Sequence, residues 1–82
     1  MNEQTKEINL NQLKDIKNNL LQIMRTIENE NFDSVKQISA YLLCGDPTYI
    51  TRKNDARKKI LKLDRYEILK EIIDEYCKNN FE

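Results

Sequence analysis

Histidine is absent from the sequence, and glycine and proline each occur only once. The lack of histidine removes the commonest general base and the commonest metal ligand of proteins. The two cysteines, Cys44 and Cys77, are too few to form a zinc site, and we expect them to be reduced, half-buried apolar residues. No glycine-rich phosphate loop occurs either. The sequence therefore predicts a protein that is not an enzyme and holds no metal or cofactor.

Long apolar runs and a net charge are also missing. No stretch approaches the roughly 20 apolar residues of a membrane-spanning helix, and 14 basic residues balance 14 acidic ones. A balanced charge gives no general attraction to nucleic acids or membranes. The N-terminus has no apolar core of a secretory signal. We therefore expect a cytoplasmic protein without membrane insertion or nucleic-acid binding.

The only glycine and the only proline lie two positions apart, at Gly45 and Pro47. Gly45 is suited to end a helix, because it adopts positive φ at little cost. Asp46 is suited to cap the next helical segment, and Pro47 to occupy its first position. We predict that Gly45, Asp46 and Pro47 form a sharp structural corner between two helical segments.

Apolar residues recur at the helical spacing of three and four along most of the chain. The first such stripe consists of Leu13, Ile16, Leu20, Ile23, Met24 and Ile27. The second begins after Asp33 or Ser34 and contains Val35, Ile38 and Leu42. Later stripes contain Ala56, Ile60 and Leu63, and then Ile68, Leu69, Ile72, Ile73 and Tyr76, after a capping-box spacing of Asp64 and Glu67.

No segment alternates with the period of two that is typical of a strand. We therefore predict an all-α fold of four to five helices. Residues 1–9 are polar and without periodicity, and we assign them to a flexible N-terminal tail. Residues 10–82 form a single helical domain in this prediction. A domain of 82 residues leaves much apolar surface exposed, so pairing with a second copy would bury more of it.

Charge is uneven along the chain. The basic stretch contains Arg52, Lys53, Arg57, Lys58, Lys59, Lys62 and Arg65, and the last predicted helix is acidic. One interpretation is a solvated face that balances the acidic helix. The other is a docking surface for an acidic partner or a phosphate, for which Arg52, Arg57 and Arg65 are the best candidates, because a guanidinium binds either group through two hydrogen bonds.

A helix, a glycine corner and a second helix also imitate a helix-turn-helix. The alternative function is therefore a DNA-binding protein of that kind. Zero net charge weakens this alternative, because phosphate contacts supply much of the affinity for DNA.

The run Gly45-Asp46-Pro47-x-Tyr49, followed by Ala56-Arg57, resembles the IreB/ReoM family of regulatory phosphoproteins. The resemblance implies small all-helical homodimers of low-GC Gram-positive bacteria, and hence an intertwined or bundle-like homodimer here. It also implies substrates of the membrane Ser/Thr protein kinase with PASTA repeats and of its partner phosphatase.

In at least some members of the family the unphosphorylated form promotes degradation, by the Clp protease, of the enolpyruvyl transferase that starts peptidoglycan synthesis. Phosphorylation relieves this effect. By resemblance, the chain is expected to be such a switch of cell-envelope synthesis.

The resemblance also suggests roles for individual residues. Thr5 matches the phosphoacceptor of the N-terminal tail, and Arg52, Arg57 and Arg65 match arginines implicated in partner binding. The chain departs from the family pattern at Leu61, where an arginine is expected, and at Thr51 and Cys44, where proline and serine are common. These departures suggest an altered target. A phosphate on Thr5 is expected either to fold the tail onto the arginines or to repel an acidic partner.

Overall fold

The computed structural model describes the backbone of residues 2–81 and the side chains of residues 16–81. The α-helices in this part are α1 (Asn2–Asn29), α2 (Ser34–Cys44), α3 (Ala56–Ile60) and α4 (Arg65–Phe81). Two short 3-10 helices, Pro47–Tyr49 and Lys53–Asp55, connect α2 to α3. No β-strand occurs between residues 2 and 81. The predicted all-α fold is confirmed.

Helix α1 ends where its apolar spacing ends. Asn31 adopts a φ of 67°, and its N–H donates to the carbonyl of Glu28 at 2.9 Å. The N–H of Phe32 donates to the carbonyl of Ile27 at 3.2 Å. This is a Schellman arrangement, in which a residue in the left-handed region satisfies the last carbonyls of a helix. Asparagine tolerates that conformation, so the polar turn stops α1.

The beginning of α1 includes residues that the sequence analysis assigns to a tail. The helix starts at Asn2, whereas the apolar spacing predicts a helix only from about residue 10. The assignment of residues 1–9 to a flexible tail stays a prediction. The side chain of Thr5 lies outside the described residues.

Helix α2 is bounded by a capping residue at each end. The carboxylate of Asp33 accepts a hydrogen bond from the N–H of Lys36 at 3.1 Å, which satisfies one of the free donors at the helix start. At the other end Gly45 adopts a φ of 77°, and its N–H donates to the carbonyl of Tyr41 at 2.6 Å. Glycine has no Cβ to oppose this left-handed conformation, so α2 ends at Cys44.

The chain turns again directly after Gly45. The carboxylate of Asp46 accepts hydrogen bonds from the N–H and the hydroxyl of Thr48, at 3.0 and 2.8 Å. Pro47 begins the 3-10 helix Pro47–Tyr49, at a position where no N–H is needed. This single turn leads to Ile50, which is completely buried.

Helix α4 starts after Asp64, whose carboxylate accepts a hydrogen bond from the N–H of Glu67 at 3.0 Å. The spacing of Asp64 and Glu67 predicts a capping box. The half of that motif in which the first side chain accepts a hydrogen bond from the backbone N–H three residues later is present, with aspartate as the acceptor. A salt bridge of 2.9 Å between Nζ of Lys17 and Oε2 of Glu75 joins α4 to α1.

The helices share one apolar core, in which α1 packs against α2, α3 and α4. Helix α1 contributes Leu20, Ile23 and Ile27, as its stripe predicts. The other buried apolar residues are Ile38, Tyr41, Ile50, Ala56, Ile60 and Ile68. Met24, Leu42 and Leu63 pack against this core and are partly buried.

Helices α2 and α4 leave much of their apolar surface uncovered. Val35 belongs to the predicted stripe of α2 but is 67% exposed, because the buried face of α2 is formed by Ser34, Ile38 and Tyr41. In α4 only Ile68 is buried. Leu69, Ile72, Ile73 and Tyr76 of that helix are exposed. Helical spacing identifies an apolar face, but it does not determine how much of that face a neighbour covers.

Within residues 2–81, every helix is too short or too polar to serve as a transmembrane span.

Candidate partner-binding surface

The basic stretch forms a shallow surface depression of about 320 Å³ next to α3. Its lining residues are Arg52, Asp55, Arg57, Lys58 and Leu61. We call this feature the basic depression. Its cations outnumber its one carboxylate, and none of them forms an ion pair among the described side chains. The depression therefore offers free positive charge to a ligand from outside.

Arg57 is fixed to the backbone of the preceding turn. Its Nε donates to the carbonyl of Ile50 at 2.8 Å, and its Nη2 lies 3.5 Å from the carbonyl of Thr48. Its own N–H donates to the carbonyl of Thr51 at 3.0 Å. The half-buried guanidinium thus holds the chain between the corner and α3, and part of its donor capacity is occupied.

Arg52 has a different setting. Its side chain is exposed, and no hydrogen bond or ion pair engages it among the described residues. It precedes the 3-10 helix Lys53–Asp55. Its guanidinium therefore retains the full set of donors for a carboxylate or a phosphate.

An unusual backbone conformation lies between these two arginines. Asn54 and Asp55 are consecutive residues with φ of 51° and 63°, a region that non-glycine residues seldom occupy. The side-chain amide of Asn54 donates to Oε2 of Glu30, whose other oxygen lies 4.0 Å from Nζ of Lys53. That ammonium lies 5.6 Å from the centre of the Phe32 ring. The turn after α1 therefore holds the segment that carries Arg52.

The corner is electrostatically linked to Arg57. Hydrogen bonds from the N–H and the hydroxyl of Thr48 lower the pKa of the Asp46 carboxyl, and the positive charge of Arg57 lowers it further. Asp46 consequently stays ionised, in the form that accepts both bonds.

Arg65 does not line the basic depression. It is exposed at the start of α4, and its guanidinium lies against Gly45. It lines a separate depression with Leu42, Asp64, Tyr66 and Leu69. The structure therefore brings Arg52 and Arg57 together and places Arg65 at the junction of α2 and α4.

A larger apolar groove, of about 580 Å³, lies between α2 and α4. Its lining residues are Met24, Val35, Ile38, Ser39, Leu42, Leu43, Leu69 and Ile72. We call it the α2–α4 groove. Contiguous exposed apolar surface of this kind is typical of protein contact sites. The sequence contains a signal for this groove. Besides the residues of its buried face, α2 carries Val35, Leu42 and Leu43, and one buried face of a helix cannot hold all of these apolar side chains.

The helix-turn-helix alternative requires a recognition helix after Gly45. The structure has a single 3-10 turn there, Pro47–Tyr49, and the next α-helix, Ala56–Ile60, is only five residues long. Recognition helices lie along the major groove and present several side chains to it. Neither segment has the length for that role.

Two residues that support this surface could not be predicted from the sequence. Glu30 lies in a polar turn far from the basic stretch in the sequence, and only the fold brings it to Asn54. Gln37 is the second, since its Oε1 accepts a hydrogen bond from the N–H of Thr51 at 3.0 Å. Both contacts join segments that no local pattern links.

A model of the IreB regulatory phosphoprotein family matches residues 3–78. The match includes the corner, both depressions, the α2–α4 groove and most of α4.

Proposed function

This chain belongs to the IreB family of regulatory phosphoproteins, and on that premise we propose that it is a non-enzymatic regulator that acts through protein contacts. The observation that carries the proposal is Arg52 of the basic depression, which is exposed and has no partner among the described side chains, in a chain matched over residues 3–78. A partner bearing carboxylates would find these cations available without first breaking an internal ion pair.

We propose Thr5 as the site of phosphorylation by a PASTA-repeat Ser/Thr kinase and of dephosphorylation by its partner phosphatase, in the cytoplasm. A phosphate there adds nearly two negative charges. It would weaken partner binding either by folding residues 1–9 onto the arginines or by repelling an acidic partner. NMR spectra of the tail before and after phosphorylation distinguish the two, because only the first orders the tail.

The regulated process in this proposal is peptidoglycan synthesis. The unphosphorylated protein would promote Clp-dependent turnover of the enolpyruvyl transferase that starts this pathway, and phosphorylation would relieve it. Arg52, Arg57 and Arg65 are proposed to contribute to binding of the transferase or of the protease machinery. The α2–α4 groove is proposed to be covered by a second copy in a homodimer.

The test measures the half-life of the transferase in cells that carry variants of this protein. We expect Thr5→Glu and Arg52→Ala to lengthen the half-life, and Thr5→Ala to keep it short whether or not the kinase is active. Arg25→Ala is the matched control, since Arg25 is an exposed arginine of α1 outside the basic depression. An unchanged half-life with both Thr5→Glu and Arg52→Ala would refute the proposed switch.

A second measurement addresses the modification itself. The purified protein is incubated with the kinase domain and ATP, and the site is located by mass spectrometry of proteolytic fragments. We expect a single phosphate on Thr5 and none in Thr5→Ala. A phosphate on a threonine of the helical body, such as Thr48, would contradict the assignment.

A further inference from the structure

We infer that the basic depression binds a partner segment in which a carboxylate is adjacent to a large apolar side chain, and that Leu61 selects for the apolar side chain. The inference rests on the proposed function and specifies the chemistry of the partner. It depends on the composition of the depression, which combines free cations with an exposed leucine.

The apolar part of the depression is Leu61. This residue directly follows α3 and is 53% exposed. The inner face of α3 is buried through Ala56 and Ile60, so Leu61 is not needed to fill the core. A leucine left half in solvent beside cations provides a surface that an apolar side chain of a ligand can cover.

The cationic part favours a carboxylate over a phosphate. Arg57 donates Nε to the carbonyl of Ile50 and keeps only part of its donors for a ligand, whereas Arg52 and Lys58 have no donor engaged among the described residues. A phosphate is best bound by several arginines with free forks, whereas Arg52 is the one arginine of the depression whose donors are all free among the described residues.

The depression is also held in one arrangement before any ligand binds. Arg57 fixes the backbone at Ile50, and Glu30 fixes it at Asn54. Arg52 therefore lies between two fixed points of the backbone, and Leu61 directly follows Ile60, which is completely buried at the end of α3. Preorganisation of this kind reduces the entropy cost of binding a short segment.

The test titrates the isotope-labelled full chain with three blocked peptides of equal net charge and follows the backbone amides by NMR. The first peptide alternates glutamate and leucine, the second alternates glutamate and alanine, and the third combines phosphoserine with alanine. We expect the glutamate–leucine peptide to shift amides between Arg52 and Leu61 and to bind at least about five-fold tighter than the other two. Tighter binding of the phosphoserine peptide, or no shifts with any peptide, would overturn the inference.

Leu61→Ala separates the apolar contribution from the charge. It is expected to make the glutamate–leucine and glutamate–alanine peptides bind equally, while the circular dichroism spectrum stays unchanged because the side chain is half exposed. The matched control is Leu43→Ala, which removes a leucine that is 85% exposed in the α2–α4 groove. The control should keep the difference between the peptides. A preserved difference in Leu61→Ala would contradict the role of Leu61.

A failure of the inferred peptide selectivity can be distinguished from a failure of the proposed regulatory function. If Arg52→Ala lengthens the half-life of the transferase but Leu61→Ala leaves peptide preference unchanged, the regulator stands and the inferred selectivity is wrong. If the peptides behave as expected but Thr5→Glu and Arg52→Ala leave the half-life unchanged, the depression binds acidic–apolar segments in some other process.

Discussion

The guanidinium of Arg65 lies against Gly45, so that the first residue of α4 contacts the residue that ends α2. A Cβ added at Gly45 would overlap Nη1 of Arg65 and lie 2.8 Å from its Cζ. The same glycine has a φ of 77°. Glycine is therefore required here for its backbone conformation, whereas the exposed end of the Arg65 side chain can move away from an added Cβ.

Gly45→Ala is expected to destabilise the protein by about 1–2 kcal/mol, mainly because alanine opposes the left-handed conformation. Gly45→Asn should cost less, since asparagine tolerates positive φ. Urea denaturation of both variants measures the difference. In the background of Arg65→Ala the steric overlap is gone, so any remaining cost of Gly45→Ala is the backbone term. Equal stability of the wild type and Gly45→Ala would contradict the conformational argument.

Arg57→Ala is expected to lower stability by about 1.5–3 kcal/mol, because the carbonyl of Ile50 loses a hydrogen bond from a charged donor. Arg52→Ala is the control and should change stability by less than about 0.5 kcal/mol, since its side chain is exposed and unengaged among the described residues. Chemical denaturation measures both. If the two variants have the same stability, Arg57 has no structural role.

This expectation affects how binding data should be interpreted. A loss of partner binding in Arg57→Ala combines an altered turn with a missing cation, whereas a loss in Arg52→Ala reports the cation alone. Arg57→Lys tests the distinction further. It keeps the charge but removes the Nε donor, so it should retain only part of the stability.

Glu75→Gln is expected to lower the melting temperature slightly at neutral pH, and the difference from the wild type should disappear in acid. The hydrogen bond from Lys17 holds the pKa of the Glu75 carboxyl below its usual 4.5. In turn, Glu75 raises the pKa of Lys17 above 10.5. The stabilisation is therefore lost as the pH falls through the lowered pKa of Glu75, or rises through the raised pKa of Lys17.

Thermal denaturation of both single variants and of the double variant Lys17→Gln/Glu75→Gln isolates the coupling between the two side chains. Lys17 is exposed and Glu75 is partly exposed, so the coupling should also weaken at high salt. A coupling that persists unchanged in acid would show that another interaction joins α1 to α4 at this point.

Val35→Glu is expected to weaken the proposed homodimer by at least about ten-fold, because it places a charge in the α2–α4 groove. Val35 is 67% exposed, so the variant should keep its helical content. Light scattering during size-exclusion chromatography at several concentrations gives the dissociation constant. Leu61→Glu is the control, because it places the same charge in the basic depression, outside the α2–α4 groove. It should leave dimerisation unchanged. A wild-type protein that stays monomeric at all concentrations would rule out the homodimer.

Local sequence predicts the ends of several elements well. Asp33, Gly45 and Asp64 all lie at helix ends in the structure, as their capping tendencies predict. These signals are reliable because each acts on the backbone within four residues of itself. Leu20, Ile23 and Ile27 of the predicted stripe are likewise buried, since α1 has three helices packed around it.

Predictions of burial were less successful, because burial depends on which apolar side chains a neighbouring helix covers. Val35 and most of the apolar face of α4 are exposed, although their spacing is the same as that of buried residues. The arginines illustrate the same limit for the candidate site. Residue type suggested all three as candidates, and that role stays a prediction. It did not distinguish Arg57, which is hydrogen-bonded to the backbone, from Arg52, which has no partner among the described residues, or place Arg65 against Gly45.

The sequence by itself determined the helical class, the corner at Gly45–Pro47, the caps and the family. Each of these depends on residue type and short-range spacing, which the chain carries with it before folding. Only the tertiary structure decided which cations lack a partner among the described side chains, which apolar faces remain uncovered there, and how Glu30 and Gln37 support the basic depression. Those properties depend on contacts between segments distant in sequence, and such contacts exist only once α1 has packed against the rest of the fold.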